Sequence, residues 1–160
     1  MLALSQLSLK GRVLRALSGR EHSRVELERK LIAHESQPGE LAQILDELTA
    51  KGFISEERVA QSVIHRRAAK LGTARVLQEM RTKGLGSEEL AQAAAQLKTT
   101  ELERAQGAWK RKFGEPATNS AERAKHMRFL ASRGFAPEVI RKAVRGGDEN
   151  ENEGEGEGDF

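Results

Sequence analysis

Arg75-Val76-Leu77-Gln78-Glu79-Met80-Arg81-Thr82-Lys83-Gly84-Leu85 is echoed fifty residues later by Lys125-His126-Met127-Arg128-Phe129-Leu130-Ala131-Ser132-Arg133-Gly134-Phe135. Each stretch carries apolar residues three and four apart, the period of a helix, and closes on a glycine followed by an apolar residue. Six positions beyond each glycine another apolar residue, Leu90 or Ile140, starts the next stripe. Leu31 and Leu41 keep the matching offsets nearer the N-terminus, where Glu35 takes the place of the glycine. A spacing of about 49 to 50 residues reads as a tandem array of helical units, each too small to be secure without its neighbours. The chain is therefore expected to be all-α, built of three three-helix repeats over residues 1–54, 55–98 and 99–146, with an acidic tail at 147–160.

Nine helices follow from the local signals. Leu9, Val13, Leu14 and Leu17 form the first stripe, stopped at Gly19. Ser23-Arg24-Val25-Glu26 has the form of a capping box, in which the hydroxyl and the carboxylate each satisfy an early N–H. Pro38-Gly39 turns the chain into a third helix bearing Leu41, Ile44, Leu45 and Leu48, ended at Gly52. A fourth is expected over about Ser55 to Ala69 and a fifth from Gly72-Thr73 to Gly84. The sixth runs from Ser87-Glu88-Glu89 to Leu97. Thr100-Glu101-Leu102-Glu103 reads as a second capping box opening a seventh, through Trp109 and Phe113. Ser120 begins the eighth, and Pro137 suits the first turn of the ninth. Lys51 to Ile54 is at most a short extended piece.

Composition narrows the function classes. Without cysteine there are no disulfides, thiolate metal sites or cysteine nucleophiles. No apolar run approaches the roughly 20 residues of a membrane span. Met1 to Leu9 lack the pattern of a signal peptide, so the expected compartment is the cytoplasm. The net charge of +3 conceals a division. Residues 148–160 hold seven carboxylates and no Lys or Arg; setting those seven aside leaves 17 acidic against 27 basic residues, a body of +10. Residues 1–61 balance at nine of each sign, whereas residues 62–147 carry eighteen basic and eight acidic groups. Such a field attracts a polyanion or an acidic protein surface. From Gly146 onward the Glu, Gly and Asn alternation has no apolar residue before Phe160 and is expected to be disordered. Solubility is the simpler role for it; an internal competitor folded over the basic body is the other.

No active site emerges. His22, His34, His65 and His126 lie far apart and are expected at surface or boundary positions. No His-Glu-x-x-His, phosphate-loop or dinucleotide pattern occurs, and no serine sits in a nucleophile elbow. The paired acids Glu56-Glu57 and Glu88-Glu89 fall at helix starts, where the helix dipole accounts for them. The protein is therefore read as a non-enzyme without cofactor or metal. Trp109, on the apolar side of its helix, is expected in the core rather than stacked on a base. The segment from Glu21 to Ile54 imitates a helix-turn-helix with a wing, but it lacks strand partners and is charge-neutral.

The basic residues carry the chemistry. Arg66, Arg67, Lys70 and Arg75 flank the joint between the fourth and fifth helices, with Arg81 and Lys83 further on; Glu79 is placed to pair with part of this charge. These six are the first candidates for partner binding. Lys110-Arg111-Lys112, beside Trp109 and Phe113, and Arg128 and Arg133 on the next helix come second. Arginine grips a phosphate or carboxylate through two donors, whereas lysine acts as a point charge.

Three ordered motifs complete the reading. Gly52-Phe53-Ile54-Ser55-Glu56-Glu57-Arg58-Val59-Ala60 comes first. Arg66-Arg67-Ala68-Ala69-Lys70-Leu71-Gly72 follows, leading into Arg75 to Gly84. Lys112-Phe113 and Arg128-Phe129-Leu130-Ala131-Ser132-Arg133-Gly134-Phe135 come third. In these the sequence resembles the RecX family of recombinase regulators over nearly the whole body. Ser55 and Val59 depart from the aspartate and phenylalanine common in the family, and the acidic tail exceeds its common core. The resemblance implies an elongated, curved body of three tandem three-helix units. It also implies binding along the groove of the RecA filament and restraint of RecA's ATPase, strand-exchange and coprotease activities, with DNA-backbone contact secondary. The protein is expected to be a monomer. The competing account is a general DNA-binding or DNA-architectural helical protein.

Overall fold

The computed structural model describes residues 7–145. Among the described residues there are eight α-helices and no strand: α1 (Leu9–Gly19), α2 (Arg24–Leu31), α3 (Glu40–Ala50), α4 (Glu56–Arg67), α5 (Thr73–Thr82), α6 (Ser87–Lys112), α7 (Ser120–Ser132) and α8 (Pro137–Arg145). A 3-10 turn at Ile32–His34 extends α2. Lys51 to Ile54 is turn and irregular chain rather than a strand. The acidic tail lies outside the described residues.

Eight helices stand where nine were expected because the sixth and seventh are one. α6 runs 26 residues without a break at Thr100. Between Ser87 and Gln106 it meets neither glycine nor proline, and its alanines favour propagation. Thr100 does not cap; its hydroxyl turns back to the Leu97 carbonyl at 3.4 Å. Glu101 does cap a helix, but a different one: its Oε1 accepts the Thr73 N–H at the start of α5, at 3.2 Å.

The chain forms two compact units that divide α4, α5 and α6 between them. The first comprises residues 1–63 and 79–92, the second residues 64–78 and 93–160. In the first, Leu9 and Val13 of α1, Leu27 and Leu31 of α2, and Leu41, Leu45 and Leu48 of α3 make one core with Ile54. Ser23 is fully buried and closes two helix ends at once. Its Oγ accepts the Glu26 N–H at 3.1 Å, completing the capping box of α2, and donates to the Lys83 carbonyl after α5. In the second unit Ala105 and Ala108 of α6, Leu130 of α7, and Ile140, Ala143 and Val144 of α8 bury one another, with Phe135 between them.

The fifty-residue echo reappears as geometry. After α5, Gly84 and Leu85 donate to the Arg81 and Met80 carbonyls; after α7, Gly134 and Phe135 donate to those of Ala131 and Leu130. These are the paired bonds of a glycine-terminated helix. Gly134 has φ +89°, a conformation an L side chain strains to adopt. A Cβ on Gly84 would strike Val25, and one on Gly134 would come within 2.8 Å of the Arg75 nitrogen. Val25 and Arg75 are themselves fifty residues apart. The start of α2 thus meets the end of α5 in the first unit as the start of α5 meets the end of α7 in the second.

Glu26 links this contact to pH. Burial raises its carboxyl, but the Arg20 guanidinium at 2.7 Å, the Ser23 N–H at 3.1 Å and the Lys83 ammonium at 3.3 Å outweigh that and hold it at about 2, against 4.5 unperturbed. A carboxyl depressed by folding adds stability above its unfolded pKa and loses it as pH falls toward the folded one. Glu26 should therefore contribute about 3 kcal/mol at neutral pH, lost between pH 4.5 and 2. Exposed Glu47, held low by Lys10 and Lys51, titrates in the same window. The test is thus the difference between wild type and Glu26→Gln: urea midpoints should converge as pH falls through that window. Parallel curves would show that the carboxylate contributes nothing.

Candidate partner-binding groove

Helix ends build the site, all in the second unit. α4 stops at Arg67 and the chain turns through Lys70 and Gly72 into α5. Arg104, half-buried on α6, gathers this turn: its Nη1 donates to the carbonyls of Ala68 and Leu71, and its Nη2 to Thr73 Oγ1 at 3.2 Å. Gly72 N–H then donates to the Arg133 carbonyl at 2.8 Å, setting the α4–α5 turn against the end of α7. Arg75 Nη1 adds a bond to the Ser132 carbonyl at 2.8 Å. The last turn of α6 carries Lys110, Arg111 and Lys112, where positive charge suits the helix dipole.

These ends border an open groove of about 400 Å³ lined by Lys70, Ala108, Arg111, Lys112, Phe129 and Arg133. Its aromatic wall is braced from behind. Phe113 meets Phe129 edge-on at 5.5 Å and stacks on His126 at 3.8 Å, and His126 Nδ1 accepts the Trp109 indole N–H at 3.1 Å. The Lys112 ammonium and Arg133 guanidinium lie 5.7 and 5.1 Å from the Phe129 ring centre, within reach of the ring quadrupole. Arg111 is partly committed, donating to the Ala69 carbonyl at 2.6 Å. None of the four cations is ion-paired to a carboxylate among the described residues. Four positive charges around an apolar, aromatic floor suit an anionic ligand that also offers apolar surface.

Of the eleven candidate residues, Lys70, Arg111, Lys112 and Arg133 are therefore brought together. Arg66 and Arg67 are exposed in the last turn of α4, and Lys110 and Arg128 lie on α6 and α7, but none of them lines the groove. Arg75 is engaged with Ser132. Arg81 and Lys83 belong to the first unit, where Lys83 is only 15% exposed and paired with Glu26. Phe129 was not among the candidates, although it sits in the third motif beside Arg128.

The histidines correct the sequence reading. His34 and His65 are exposed, but His22 and His126 are buried, at 4% and 6% exposure. His22 Nδ1 lies 3.0 Å from the Arg20 carbonyl, and burial lowers its pKa. Each ring finds a local polar partner, which offsets the cost of burial. Trp109 packs against the second core, as its position on α6 predicts. No group of three or more His, Asp or Glu placed to hold a metal occurs among the described residues, nor is any helix there long and apolar enough to cross a membrane.

Comparison with known proteins settles the lineage. A regulatory protein RecX from Leptothrix cholodnii is 50% identical over 143 residues, covering 89% of this chain and 91% of its own. The chain belongs to the RecX family. A second RecX, from Ralstonia pickettii, is 47% identical over 143 residues, 89% of this chain and 90% of that one. Residues 99–144 match the family's third three-helix domain. Two RecX crystal structures share the fold. One, from Lactobacillus salivarius, superposes with a TM-score of 0.76 at 16% identity, over 88% of this chain and 95% of that one. The other has a TM-score of 0.70 at 20% identity, over 84% and 70%. RecX proteins bear the name of regulators, and this chain is a RecX-type regulatory protein.

Proposed function

We propose that this RecX protein binds the RecA recombinase filament along its helical groove and restrains RecA's ATPase, strand-exchange and coprotease activities, with no catalysis and no cofactor of its own. It acts as a cytoplasmic monomer. The observation that carries the reading is the convergence of Lys70, Arg111, Lys112 and Arg133 on the Phe129 ring in a member of this family. That surface would meet acidic side chains of the recombinase, with Arg66, Arg67, Lys110 and Arg128 adding a diffuse field around it. We also read the chain as three tandem three-helix repeats, 1–54, 55–98 and 99–146. The match at 99–144 and the recurrence of the glycine contact at Val25 and Arg75 support this organisation. An array of repeats can touch successive filament subunits, so that modest contacts sum.

The same groove also suits a phosphate backbone, which keeps a general DNA-binding role as the second reading. Lys112→Glu with Arg133→Glu tests the groove, and the wild-type protein on bare DNA separates the two readings. Both side chains are exposed, so the thermal midpoint should stay near that of wild type, while affinity for a RecA filament and inhibition of its ATPase should weaken at least about tenfold. Unchanged inhibition by the double variant would remove the groove from the recombinase contact. Wild-type protein that bound bare DNA well and left RecA ATPase untouched would overturn the regulator reading.

A further inference from the structure

We infer that the groove has an occupant within the chain: the acidic segment Asp148 to Phe160, which competes there with the external partner. This rests on the groove being the partner site and adds a regulation to it. The complementarity is specific in kind. The segment carries seven carboxylates and no Lys or Arg, and Phe160 is the only apolar residue after Arg145. The groove offers four cations without carboxylate partners among the described residues, set around an aromatic wall and Ala108. Charge and a single aromatic group are what the segment has to give, and both are what the groove takes.

Reach permits it. α8 ends at Arg145 within the second unit, and Val144 shares a core with Ala108 and Phe129 of the groove. Fifteen residues follow, able to span about 50 Å when extended. The root of the segment thus adjoins the core that backs the groove, and the length available is ample for an extended chain to cross it. By contrast, the apolar pocket beside Ile32 in the first unit is bordered by Glu28 and Glu35 against a single cation, Arg29, and offers a carboxylate-rich chain no net positive charge. Tethering places the segment at an effective concentration in the millimolar range, enough for a weak contact to compete.

The test uses the full-length chain with Asp148, Glu149, Glu151, Glu153, Glu155, Glu157 and Asp159 changed to the matching amides. A synthetic peptide of residues 147–160 is the probe, and Trp109, the sole tryptophan, is the reporter. The peptide should produce a saturable fluorescence change in the amide variant at low salt. The change should vanish at 0.5 M NaCl. Adding Lys112→Glu and Arg133→Glu should abolish it, and Phe160→Ala in the peptide should weaken it several-fold. The amide variant should also bind the RecA filament about three- to tenfold more tightly than wild type at low salt. A gain in filament affinity without saturable, groove-dependent peptide binding would mean general repulsion and would overturn the docking. Saturable binding that the groove substitutions leave intact would overturn it as well. Groove-dependent peptide binding together with no filament binding by any variant would instead remove the RecA reading and leave the docking standing.

Discussion

Alanine at Gly72 is expected to destabilise the second unit by about 3 kcal/mol, the upper end of what overpacking costs, because the clash is with backbone. A Cβ there would fall inside the van der Waals shells of the Gly134 carbonyl and the Phe135 nitrogen. Neither can yield cheaply. Gly72 N–H donates to Arg133, Phe135 N–H is tied to Leu130, and Gly134 already occupies a positive φ. Lys70 and Arg133 would be displaced with the contact, so the groove should open as stability falls. Gly19→Ala is the control, since a Cβ at Gly19 meets nothing within 4 Å. Urea denaturation of both variants measures the effect; a Gly72→Ala midpoint equal to that of the Gly19 control would show that the two turns do not touch in solution.

Arg104→Met should cost a similar amount by another route. Burial lowers the pKa of this guanidinium, with Glu101 opposing, and the side chain is spent on acceptors: two carbonyls at the end of α4, Leu97 and the hydroxyls of Thr73 and Thr100. Methionine preserves the apolar stem and removes every donor. The carbonyls of Ala68 and Leu71 lie past the last turn of α4, so losing their partner leaves them short at about 1–3 kcal/mol each. A loss near 3 kcal/mol is expected, together with faster amide exchange at residues 68–73. Lysine at 104 should recover only part of it, because an ammonium lacks the planar fork that reaches several acceptors at once. A neutral Arg104→Met would show that water satisfies that turn as well as the arginine does.

What was legible in the sequence was what neighbours decide. The capping box at Ser23 and Glu26, the glycine stops and the apolar stripes of α1, α3 and α8 follow from residues a turn apart, and they stand as read. Thr100 to Glu103 carries the same local signature as Ser23 to Glu26 and was read the same way. The alanine-rich flank kept the helix going, and Glu101 found its N–H on α5, 28 residues earlier in the chain. Short-range pattern cannot distinguish those outcomes, because the deciding partner is remote. His126 was missed for the same reason: nothing beside it in sequence announces Trp109 and Phe113. In the groove, the charges were visible singly. Their selection from eleven to four depended on the Gly72–Arg133 bond and on Phe129, neither of which charge counting weighs.

The two bonds that join helix starts to later helix ends also set an order of assembly. Ser23 waits for Lys83, sixty residues further on, and Gly72 for Arg133, sixty-one further. At the usual pace of translation each wait lasts roughly 3–12 seconds. During each interval a helix start stands exposed on the ribosome, lacking the partner that will seat it. The chain should therefore close in two delayed steps as it emerges, each triggered by the arrival of a glycine turn.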